Sequence, residues 1–118
     1  MIQKLVVSFM ISFVMRQLEK FHSSLDWDKI KRDLDERIRL MMPGSWFDDE
    51  AVLVANTALD MLRSVLEQGD NIKRLLELLT AKNYDDAARM MKEIMLGRLS
   101  SVSLSSNETA VKDSLMMV

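Results

Sequence analysis

Apolar residues recur at helical intervals along almost the whole chain. The longest uncharged run is residues 5–15, "LVVSFMISFVM". At about 100° per residue, Ser8, Ser12, Arg16 and Glu19 fall on one narrow stripe. Val6, Val7, Met10, Ile11, Phe13, Val14, Met15, Leu18 and Phe21 cover the remaining arc, roughly 200° wide. Leu5 and Phe9 border the stripe. The pattern predicts a helix over 3–22. So wide an apolar face requires either a central place in its own domain or a partner to cover it.

A second helix is predicted over 26–42, capped by Ser24 or Asp26 and stopped by Pro43-Gly44. Trp27, Ile30, Leu34, Ile38 and Met41 form a narrow seam on it. Its other positions alternate acid and base, as a solvated face does. A third helix is predicted over 48–68, with Asp48 as cap, Phe47 stapled onto Val52 and Gly69 as the residue past its end. Ala55 and Ala58 would let a neighbour approach closely. Asp70 is placed to cap a fourth helix over 71–82. Asn83-Tyr84-Asp85 reads as a tight turn, and a fifth helix follows over 85–97, ended by Gly97.

Residues 75–96, with Tyr84 and Ala87, locally resemble the helix–turn–helix of a tetratricopeptide repeat. The period of about 34 residues that marks such arrays does not recur. The segment is therefore a generic αα-hairpin, and no peptide-binding residues carry over. Past Arg98 a serine-rich stretch reads as a linker. Ser105-x-x-Glu108 is a capping box that opens a short helix near 107–117, with Val111, Leu115 and Val118 in an apolar row. A helix of that length needs something to dock on. The expected fold is all-α: a bundle of about five helices in residues 1–98, then a linker and short tail helix in 99–118.

Composition narrows this further. The 118 residues are one domain's worth, 48% apolar and 29% charged. Three glycines and one proline are too few turn residues for a set of short strands. With no cysteine, disulfides and thiolate metal sites are excluded. The net charge of −2 is interspersed, so no basic face for nucleic acid is expected. Arg16, Glu19 and Lys20 follow the first apolar run with no small-x-small site, which argues against a signal peptide. The run is also shorter than the roughly 20 apolar residues a spanning helix needs. A cytoplasmic location is expected, or a virion-associated one for a phage-encoded chain.

Catalytic signatures are missing: there is no phosphate-cradling glycine loop, no G-x-S-x-G and no H-E-x-x-H. His22 is the only histidine. Glu19-x-x-His22 has the spacing of di-iron carboxylate bundles, which need two such pairs and further glutamates. Across a homodimer the second pair could come by symmetry. Eleven methionines serve either as core filler or as an adaptable partner groove.

No enzyme and no cofactor are expected. The main expectation is a non-enzymatic interaction or structural protein that self-associates, a dimer being the simplest form, with a further protein partner possible. The residues expected at the interface are Val6, Phe9, Met10, Phe13 and Val14 on the first helix, with Leu115 and Val118 on the tail. An alternative is a peripheral membrane protein with its first helix in the lipid interface. A third is a di-metal carboxylate protein across a dimer.

Overall fold

The computed structural model of the chain describes residues 2–41, 49–100 and 103–118, the side chains of 2, 3, 41, 49 and 50 excepted. Among the described residues six helices occur and no strand. They are α1 (Ile2–Phe21), α2 (Trp27–Met41), α3 (Asp49–Leu66), α4 (Asn71–Thr80), α5 (Tyr84–Leu99) and α6 (Ser106–Met117). The expected Pro43-Gly44 stop, Asp48 cap and Phe47 staple lie outside the described residues.

Helix α1 is central. Val7, Met10, Val14 and Leu18 are completely buried on it. Those positions are three or four residues apart, one face of a helix. α1 packs against each of the other five helices, and so does α3. On α3 the fully buried positions include Ala51, Ala55 and Ala58, small residues that let helix axes approach. α2 packs on α1 and α3 through Ile30, Leu34 and Ile38. Trp27, at its start, is half-buried with the Arg63 guanidinium 5.9 Å from its ring centroid. α4 and α5 form the expected hairpin.

Helix α6 closes the bundle by packing on α1, α3 and α5. Val111 and Leu115 have no exposed surface and belong to the same core as α1. So the tail's apolar row docks on its own chain. The radius of gyration, 13.7 Å, matches the roughly 13.5 Å of a fully folded chain of this length. That agreement leaves no room for a detached tail. No helix among the described residues is long and apolar enough to cross a membrane.

Several helix ends follow the sequence signals. Asp26 Oδ1 accepts from the Lys29 N–H at 3.2 Å and caps α2. The capping box is formed: the Glu108 N–H donates to Ser105 Oγ at 3.2 Å, and the Ser105 N–H to Glu108 Oε1 at 3.1 Å.

Others differ. Asp70 stands at the start of α4 without a side-chain capping bond; instead Asn71 Nδ2 donates to the Val65 carbonyl at 2.7 Å, tying α4 back to α3. α3 ends at Leu66, and Gly69, at φ +55°, serves the turn beyond it. The α4–α5 turn falls at 81–83, and Tyr84 already begins α5. Gly97 does not end α5, which runs on to Leu99 because Met95 and Leu99, on either side of the glycine, are both anchored in the core.

Candidate interaction surface

Most of the expected interface residues are enclosed by the chain's own helices. Val6, Met10, Phe13, Val14 and Leu115 are buried in the single chain. Phe9 is half-buried, its ring centroid 6.0 Å from that of Phe13 and the Arg16 guanidinium 6.0 Å above it. Val118 stays 46% exposed. The wheel of α1 showed how much apolar surface needs cover. It could not show that α3 and α6 provide that cover.

Apolar surface does remain at the end of α6. Met116 (66% exposed), Met117 and Val118 protrude there. Val118 lines a cleft of about 240 Å³ together with Ser8, Ser12, Ala88 and Lys92. The Lys92 ammonium donates to the Val118 carbonyl at 3.0 Å and fixes this corner onto α5. Ser8 and Ser12, the first half of the polar stripe, are therefore half-buried beside the cleft, whereas Arg16 and Glu19 reach solvent. Leu5, 66% exposed, lies one helical turn ahead of Ser8 and Phe9. Among the other methionines, Met10, Met61, Met91 and Met95 are buried core filler.

A second concavity runs along α4. It is a shallow, largely open depression between the α1–α2 turn at Ser23 and α4, lined by half-buried Ile72 and Leu76 and by exposed Lys73 and Glu77. Leu76 and Thr80 also line an adjoining recess of about 230 Å³, where Glu19, His22 and Lys82 converge. Both His22 and Lys82 have left-handed backbones, φ 57° and 62°.

Each ends a helix in a motif that usually employs glycine. The His22 N–H bonds back to the Leu18 carbonyl at 2.8 Å. At the end of α4, the Lys82 and Asn83 N–H groups return to the Leu79 and Leu78 carbonyls. Sequence reading missed this groove, because it forms between two segments about fifty residues apart and no spacing marks it. The signal that was available is the i,i+4 pair Ile72–Leu76 beside Lys73–Glu77.

The Glu19/His22 spacing does not produce a ligand pair on one helix. α1 ends at Phe21, and His22 lies past it in the left-handed region. Glu19 Oε2 accepts from the Tyr84 hydroxyl at 2.9 Å. Among the described residues, no three His, Asp or Glu side chains are grouped to hold a metal ion. No protein-family model, curated protein or solved structure matches the chain.

Proposed function

We propose that this chain is a non-enzymatic helical interaction protein that self-associates through the corner formed by the last turn of α6 and the N-terminal half of α1. The observation that carries this reading is the exposure of three consecutive apolar residues, Met116, Met117 and Val118, at the end of α6, whereas Leu5, Leu40 and Leu53 are exposed singly along their helices. A run of adjacent exposed apolar residues marks a contact site more often than scattered single residues do. The body of α1, whose apolar arc is engaged in the core, contributes only its margin at Leu5 and Phe9. A lipid-facing role would require that arc to leave the core.

The test is the native particle mass by light scattering over a range of concentrations. An oligomer that Leu5→Lys together with Met116→Lys converts to monomer supports the proposal. A monomer at every concentration overturns it, as does co-flotation with liposomes by a wild-type chain that never forms an oligomer.

A further inference from the structure

We draw no further inference here: the strongest candidate, the exposed apolar end of α6 at Met116, Met117 and Val118, belongs to the surface already proposed for self-association, and nothing in the structure shows what covers it.

Discussion

The Tyr84 hydroxyl donates to Glu19 Oε2 at 2.9 Å, joining the last turn of α1 to the first residue of α5 across 65 positions of sequence. Helices α1 and α4 both end in left-handed residues, His22 and Lys82, that line one recess with Glu19, so the bond lies where three helix ends meet. The bond is solvent-exposed, which limits its strength. Tyr84→Phe should lower stability by about 0.5–1 kcal/mol. In a urea-denaturation cycle with Glu19→Gln, the two changes should be less than additive. Full additivity would mean that the bond contributes nothing in solution.

Gly97 lies inside α5, and a Cβ built there meets nothing within 4 Å. Its backbone is helical, so the residue gains nothing from glycine's conformational freedom and pays for it in the unfolded chain. Gly97→Ala should therefore stabilise by about 0.5–1 kcal/mol, seen as a higher denaturation midpoint with unchanged slope. Gly69, at φ +55°, should respond in the opposite sense, although it too has open space around its Cα. The pair separates backbone conformation from crowding.

Asn56 Oδ1 on α3 and Asp35 Oδ1 on α2 are buried acceptors without a hydrogen-bond partner. The two helices pack together. A buried acceptor without a partner has lost its solvation and gained no bond in return. Asn56→Ala removes one such acceptor and improves helix propensity, so it should stabilise by roughly 1 kcal/mol. Destabilisation in thermal melts would show that Asn56 has a hydrogen-bond partner in solution.

The capping box makes α6 sensitive to acid. The Ser105 N–H, then the Ser105 hydroxyl, hold the Glu108 carboxylate below the ordinary glutamate range, and the Arg98 charge acts in the same direction; partial burial opposes them. A carboxylate with a depressed folded-state pKa contributes stability at pH above its unfolded value of about 4.3. That contribution fades as pH falls through the folded value. Wild type should therefore exceed Glu108→Gln in stability at neutral pH, with the gap closing below about pH 4. Amide exchange at Glu108 and Thr109 would follow the same course. A gap independent of pH would mean that the carboxylate charge plays no part.

The legible part of this fold was its local part. Helix class and most boundaries followed from apolar periodicity, and two helix starts, at Asp26 and Ser105, were marked by side chains that bond their own backbone. These signals act within a turn or two and need no knowledge of the rest of the chain. What escaped depends on distant segments. Gly97 looked like a stop because a glycine's cost of about 1 kcal/mol is visible in sequence, whereas the burial of Met95 and Leu99 that outweighs it is not. The cover over α1 came from α3 and α6 for the same reason. His22 and Lys82 adopt glycine-like backbones at helix ends, and neither residue type advertises that conformation.

That cover makes Leu115 the most informative core position. Its side chain is completely buried, as is Val111 one turn earlier, and together they seat α6 on α1 and α3. Alone, a helix of this length is marginal in water, so α6 owes its order to this seat. Leu115→Ala removes buried apolar volume and should cost about 2–4 kcal/mol. The loss should be local before it is global: amide exchange in α6 should accelerate more than in α3, where Ala55, Ala58 and Leu62 keep their packing. Freed α6 would also uncover apolar surface on α1 and α3, against which it packs, raising dye binding. If exchange accelerated uniformly across α1, α3 and α6, the tail would instead be part of one cooperative unit with the bundle.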